Sequence, residues 1–126
     1  MKLSLLKEEL TVCQLPPDAP MPQWAVGPVS FLSITRTTEE LSIVCEAGFA
    51  PQSAKQEPRW RAFKVDGPLD FALTGVLASL AASLAQAGLS IFSIATYNTD
   101  YVLVKADKVE AAIRALRFAG HVVQAD

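Results

Sequence analysis

The sequence predicts an α+β fold in which two βαββαβ units follow each other along the chain, each an antiparallel sheet with helices on one face. A chain of 126 residues that is 51% hydrophobic can bury one ordinary core or two very small ones. Residues 31–44 match residues 91–104 without gaps at an offset of sixty, and both copies read apolar strand, polar turn, apolar strand. We therefore expect two domains, a reduced unit at 1–58 and a complete one at 59–126.

The second unit begins with the alternating strand Arg59–Val65, which ends at the turn residues Asp66–Pro68. Thr74 is placed to cap a helix whose apolar residues recur every three or four positions until Gly88 ends it. The hairpin at 90–104 follows. The first half of the second unit is therefore strand, helix and two strands.

A second helix follows the hairpin. The spacing of Asp107 and Glu110 is that of a capping box, and the apolar positions after it continue to Gly120. Residues 121–124 then read as a short closing strand. The order of the unit is βαββαβ, the ferredoxin-like arrangement, with two helices on one face of an antiparallel sheet.

The first unit has the same hairpin but less helical cover. Residues 9–15 form a plausible strand, and residues 16–22 are too rich in proline for a helix, which leaves one helical turn at 23–26. Residues 47–58 have room for one more turn. The sequence leaves open which unit owns the strand Trp60–Val65.

Each of the two matched hairpins has an acid at the end of its polar turn. Glu40 stands there in the first copy and Asp100 in the second. We expect these two residues to be counterparts. Asp100 has two interpretations, a bond to the backbone of its own turn or a carboxylate presented to a cationic ligand.

Composition excludes several classes of function. The net charge of −2 comes from acids and bases mixed along the chain, with no basic run for nucleic acid. The apolar stretches are too short to span a bilayer, and the N-terminus reaches Lys7 before a signal-peptide core forms, so we expect a cytoplasmic protein. Cys13 and Cys45 lie in strand-like runs and are interpreted as reduced packing residues.

The sequence carries no recognisable catalytic motif. His121 follows a helix-stopping glycine and is interpreted as a surface or structural histidine, while Ser33 and Ser93 occupy equivalent strand positions as packing residues. Neither a phosphate-binding loop nor a nucleophile elbow is present, and no histidine, cysteine and aspartate cluster has the spacing of metal ligands. We expect a protein that is not an enzyme and needs no cofactor or metal.

A binding function is favoured by the segment Asp66–Val76, which runs through a loop into a helix N-terminus. Unpaired N–H groups there attract an anion such as an α-carboxylate, and Asp100 can hold a cation. Together they suit a zwitterionic amino acid. Thr74 and Gly75 have the alternative role of a plain helix cap. We also expect the first strand of the unit to run beside the hairpin strand that starts at Ser90 and Ile91.

The residues from Thr74 to Gly88, and above all Ser90–Val104, resemble ACT domains of the aspartokinase type, with Phe31–Thr35 and Glu39–Leu41 as a weaker copy. The likeness extends to small bacterial tandem-ACT proteins and to the ACT modules of cytosolic arginine sensors. It implies two ferredoxin-like units, side-by-side homodimers and an amino acid bound at an interface between ACT units or between subunits. The site residues that loop position and resemblance suggest are Leu73, Thr74, Gly75, Val76, Ser90, Ile91, Thr96, Tyr97 and Asp100.

The leading hypothesis is a non-enzymatic, allosteric regulatory protein that binds a small-molecule amino acid and acts as a homodimer. The chain carries no kinase, dehydrogenase or synthase domain for an ACT module to regulate, which leaves the regulated target open, with a partner enzyme as one candidate. The alternative is a protein–protein interaction module that regulates a partner enzyme without a ligand of its own. An enzyme on a ferredoxin-like scaffold is a third reading, without a visible acid, base or nucleophile to support it.

Overall fold

The computed structural model describes residues 1–27, 29–67 and 75–125. Over these residues the chain forms eight β-strands, two α-helices and two short 3-10 helices. The strands are β1 (Lys2–Leu5), β2 (Leu10–Leu15), β3 (Leu32–Arg36), β4 (Leu41–Glu46), β5 (Gln56–Val65), β6 (Phe92–Ala95), β7 (Asp100–Lys105) and β8 (Val122–Gln124). The helices are α1 (Val76–Gln86) and α2 (Val109–Phe118), with 3-10 helices at Gln23–Ala25 and Ala106–Lys108.

The predicted mixed α+β class is confirmed, with mainly antiparallel strand pairing among the described residues. Both hairpins, both helices and the single helical turn after the prolines form where the sequence pattern placed them. β1 was not predicted, because four residues are too few to show an alternating pattern.

The chain divides into two compact units, which we call the N-terminal unit (Glu8–Trp60) and the C-terminal unit (Met1–Lys7 with Arg61–Asp126). The predicted domains were 1–58 and 59–126. The structure differs in that it groups the first seven residues with the second half of the chain. The strand whose ownership the sequence left open spans the division, because β5 runs from Gln56 to Val65.

In the C-terminal unit, the strand order is β6, β7, β5, β1 and β8. β1 pairs antiparallel with β5, placing Leu3 opposite Val65, and parallel with β8, placing Leu3 opposite Val123. The first strand predicted for this unit, β5, therefore lies beside β7 and not beside β6. The expectation that β5 and the strand after Ser90 and Ile91 run side by side is wrong.

The core of the C-terminal unit lies between its strands and its two helices. Leu80 and Leu84 of α1 and Ile113 and Leu116 of α2 are buried in it, at the three- and four-residue spacing that puts side chains on one helix face. Among the described residues, Phe63 of β5 is the largest side chain that is fully buried. Gly88, in a left-handed conformation at φ 76°, follows the end of α1 as predicted.

The beginnings of both helices differ from the prediction. The N-cap of α1 is Gly75, one residue after the predicted cap, and Thr74 lies outside the described residues. The N-cap of α2 is Lys108, without a side-chain cap bond, so the predicted capping box is wrong. Asp107 belongs instead to the 3-10 helix that precedes α2, which shifts it out of the N-cap position.

In the N-terminal unit, the strand order is β3, β4, β2 and β5. Its core contains Cys13, Ile43 and Cys45, and Ala25 of the 3-10 helix packs against them. Both cysteines are free and buried, and burial raises the pKa of Cys13 and raises the pKa of Cys45 to about 12. Their expected role as reduced packing residues fits this environment.

None of the helices among the described residues has both the length and the apolar character needed to cross a membrane.

Truncation of Leu84 tests the core of the C-terminal unit. Leu84→Ala removes a fully buried side chain, so we expect the free energy of unfolding to fall by about 2–5 kcal/mol. Phe118→Ala is the control, since Phe118 is 96% exposed and its loss should change stability by less than about 0.5 kcal/mol. Urea unfolding measures both. Equal effects would show that α1 does not cover the core as described.

Candidate functional site

Two threonines close the turn between β6 and β7. The Thr96 N–H donates to Thr99 O at 2.9 Å, and Thr96 Oγ1 donates to the same oxygen at 2.8 Å. The Thr99 N–H donates back to Thr96 Oγ1 at 3.3 Å. Among the described non-glycine residues, only Arg59 has a positive φ. The turn therefore needs no glycine, because side-chain bonds hold it in ordinary backbone conformations.

Strand register shows which residues of the two hairpins are equivalent. Arg36 lies opposite Leu41 in the first hairpin, and Ala95 lies opposite Asp100 in the second. The structural offset is therefore fifty-nine residues and not the sixty expected from the sequence match. The prediction that Asp100 and Glu40 are counterparts is wrong, since Asp100 corresponds to Leu41.

The turn bonds support the same equivalence. The Thr37 N–H donates to Glu40 O at 2.9 Å, as the Thr96 N–H does to Thr99 O. Thr37 Oγ1 accepts the N–H of Glu40 at 3.2 Å, as Thr96 Oγ1 accepts that of Thr99. Leu41 is fully buried in the N-terminal core. A carboxylate at this hairpin position is thus present in the second copy alone.

Thr99 ties the turn to the end of β5. Its Oγ1 donates to Val65 O at 2.5 Å, and the residue is only 4% exposed. Val65 is the last residue of β5 and belongs to the core of the C-terminal unit. Sequence reasoning missed Thr99, although two threonines three positions apart in a polar turn are a signal for this type of closure.

The residue after β5 is also fixed. The Asp66 N–H donates to Lys2 O at 2.8 Å, and the Asp66 carboxylate accepts a bond from Ser4 Oγ at 2.9 Å. The end of β5 is therefore held by β1 on one side and by the β6–β7 turn on the other. The connection toward α1 leaves from this fixed point.

Asp100 is the first residue of β7 and is half-buried. Within the described part of the chain, its carboxylate makes no hydrogen bond or ion pair in the structure. The interpretation that it bonds its own turn is therefore wrong for these residues, because Thr96 takes that role. Asp100 retains its capacity to accept bonds from a cation.

Helix α1 begins at the far side of the connection from β5. Gly75 has a φ of 80°, where a side chain would be strained, and open space surrounds the position of a Cβ atom. The first turn has neither a side-chain cap bond nor an acidic residue. Its N–H groups therefore retain the capacity to bind an anion. Val76 packs against the core, whereas the predicted site residues Leu73 and Thr74 lie outside the described residues.

Ser90 and Ile91 lie at the opposite end of β6 from Asp100. Phe92 pairs with Leu103 and Ala95 with Asp100, so the two ends of β6 are about 10 Å apart at about 3.4 Å per residue. Ser90 is exposed, while Ile91 packs against the core. A single hairpin does not bring these two residues and Asp100 into one cluster.

The remaining predicted site residues belong to the turn. Thr96 is exposed, although its hydroxyl is used in closing the turn, and Tyr97 is 81% exposed. Thr96, Tyr97 and Asp100 therefore lie together at the turn, next to the end of β5 that Thr99 binds. The turn thus carries both a carboxylate and an aromatic side chain.

Side chains that could bind a metal ion are not clustered in the described ranges. No group of three or more histidine, cysteine, aspartate or glutamate residues could hold a metal ion there. His121 Nδ1 lies 3.3 Å from the N-terminal nitrogen of Met1, and burial together with this ammonium lowers the histidine pKa. Its Nε2 is buried without a partner among the described residues.

Comparison with known proteins follows the division of the chain. The family model described as ACT domain matches residues 55–117, and a second model, for an N-terminal domain, matches residues 8–53. The human cytosolic arginine sensor for mTORC1 subunit 1 is 37% identical over 59 residues, which are 46% of this chain and 18% of the sensor. The chain thus matches about a fifth of the length of this curated relative.

Two solved structures extend the likeness to almost the whole chain. A protein from Agrobacterium tumefaciens is 36% identical, with a TM-score of 0.92, and the match covers 99% of this chain and 92% of that one. The regulatory subunit of aspartate kinase from Thermus thermophilus, in its ligand-free form, has a TM-score of 0.65 at 15% identity over 94% of this chain and 96% of that one. The second match shows a shared fold.

The Thr99 bond can be tested by removing its hydroxyl. Thr99→Val keeps the shape of the side chain but deprives Val65 O of its buried donor, so we expect a loss of about 1–3 kcal/mol in the free energy of unfolding. Thr38→Val changes an exposed turn residue of the other hairpin and should cost less than about 0.5 kcal/mol. Urea unfolding separates the two results. Similar losses in both variants would contradict a stabilising role for the Thr99 bond.

Proposed function

Because the chain belongs to the ACT-domain family, we propose that it is a cytoplasmic, non-enzymatic regulatory protein that binds a free amino acid at the β6–β7 turn. One observation carries this proposal. Thr96 and Thr99 close the turn, and the half-buried carboxylate of Asp100 is without a bond to the described residues. A carboxylate that the fold does not use is suited to a ligand cation.

The relatives support a regulatory role. One is named an arginine sensor and another a regulatory subunit of aspartate kinase. Neither name describes a catalytic subunit. In this chain, the equivalent role is amino-acid sensing by two ferredoxin-like ACT units in tandem, with regulation of a partner enzyme as the output.

The ligand would bind through both of its charged groups. Its ammonium group would donate to the Asp100 carboxylate, and its α-carboxylate would accept bonds from N–H groups at the beginning of α1, near Gly75 and Val76. Tyr97 would lie at the rim.

A second copy of the chain would complete the site. Ser90 and Ile91 lie at the other end of β6 from Asp100, so a single hairpin cannot bring all three residues into contact with one ligand. In a homodimer, Ser90 and Ile91 of one subunit would face Asp100 of the other. Ligand binding would then favour one subunit arrangement, which is the basis of an allosteric response.

Thermal unfolding in the presence of each of the twenty amino acids, with arginine as the first probe, tests this proposal. A ligand of the native state at one hundred times its dissociation constant should stabilise the chain by about 2.7 kcal/mol. Asp100→Asn should abolish the increase in melting temperature, because it removes the charge that pairs with the ligand. Asp107→Asn is the matched control, an exposed acid just after β7 that should leave the increase unchanged.

Two results would contradict the proposal. One is the absence of a shift with all twenty amino acids. The other is an amino acid that stabilises wild type and Asp100→Asn equally, which would place binding elsewhere. A single stoichiometric partner recovered without added metabolite, together with the first result, would favour the interaction-module alternative.

A further inference from the structure

A cleft of about 190 Å³ lies over β2 in the N-terminal unit, with both apolar and polar residues in its lining. It is lined by residues of β2, by Ser42 of β4 and Glu40 just before it, and by the beginning of β5. The lining residues are Val12, Cys13, Gln14, Glu40, Ser42, Lys55, Gln56 and Glu57. All of them belong to the N-terminal unit, so the cleft is complete without residues of the other unit.

Gln14 makes hydrogen bonds to both flanks of the cleft. Its backbone N–H donates to Lys55 O at 3.0 Å on the β5 side. Its Nε2 donates to Glu40 Oε1 at 3.1 Å on the β4 side. The side-chain amide oxygen of Gln14 and the hydroxyl of Ser42, the residue paired with Gln14, add hydrogen-bonding groups between these flanks.

Opposite charges therefore flank the central strand. The Glu40 carboxylate is held by Gln14, while the Lys55 side chain is exposed and makes no ion pair with any residue that the structure describes. β2 lies between β4 and β5, and two strand spacings of about 4.8 Å separate the flanking backbones by about 10 Å. A small ligand that carries two opposite charges can lie between these flanks and contact both side chains.

We propose that this cleft binds a small zwitterion, with its cation on Glu40 and its anion on Lys55. The second carboxylate, Glu57, disfavours a simple anion, and Lys55 disfavours a simple cation. The cleft volume of about 190 Å³ accommodates a ligand of amino-acid size. Hydrogen bonds to Gln14 and Ser42 would orient the ligand.

This site is distinct from the Asp100 turn. The structural counterpart of Glu40 in the second hairpin is Thr99, whose hydroxyl donates a hydrogen bond to Val65 O. The cleft is therefore not a copy of the proposed regulatory site. Binding of a ligand in this cleft does not depend on binding of a ligand at Asp100.

Titration of the ¹⁵N-labelled full chain with γ-aminobutyrate tests the proposal by NMR. We expect saturating chemical-shift changes at the Gln14 side-chain amide and at the backbone amides of Ser42 and Gln56. Butyrate and n-butylammonium each carry one of the two charges and should bind at least tenfold more weakly. Equal binding of either single-charge probe would overturn the inference.

Variants identify the two charges. Glu40→Gln and Lys55→Met should each weaken γ-aminobutyrate binding at least tenfold, whereas Glu39→Gln, an exposed acid of the same turn, should leave it unchanged. Asp100→Asn should also leave it unchanged. The inference fails if the shifts do not saturate, if they persist in Glu40→Gln and Lys55→Met, or if Asp100→Asn removes them.

Discussion

The hydrogen bond from Thr99 to the carbonyl of Val65 is the constraint on which the candidate site depends. It joins the β6–β7 turn to the last residue of β5, and it is buried. A buried bond of this kind contributes about 1 kcal/mol net, but its loss costs more because the acceptor would be left without a partner. With the turn anchored in this way, the position of Asp100 is set by backbone pairing and does not require its carboxylate.

The two hairpins show how one turn geometry can serve different purposes. In both, the threonine that opens the turn makes the closing bonds. In the first, Glu40 ends the turn and bonds Gln14, while the next residue, Leu41, is buried in the core. In the second, Thr99 ends the turn and donates to Val65 O, and the next residue, Asp100, is the first of β7. At the same structural position, the first hairpin thus has an apolar core residue and the second has a candidate ligand group.

Local sequence patterns predicted most of the elements, because alternating and three-to-four spacing reports burial directly. The patterns predicted α1, α2 and both hairpins, but not β1, whose four residues pair with β5 and β8 from the beginning of the chain. Hairpin register was predicted one residue out, since β-branched residues match well at several offsets. Register is decided by turn bonds, which a comparison of residue types does not detect.

The sequence shows only some of the features on which the proposed site depends, for a similar reason. The polar turn and the carboxylate of Asp100 are visible in the sequence, whereas the anchor at Thr99 depends on a contact with Val65, 34 residues away. Ser90 and Ile91 were grouped with Asp100, yet β6 separates them. The length of the strand alone indicates that separation. Because of this separation, the proposed site includes residues of a second subunit.

A crystal structure of the chain with the amino acid that most raises its melting temperature would test the central claim most directly. We predict that the ligand ammonium group lies within hydrogen-bond distance of the Asp100 carboxylate, with Ser90 and Ile91 of a second subunit on its other side. A ligand bound elsewhere, or an Asp100 carboxylate turned back to bond its own turn in the presence of ligand, would contradict the claim.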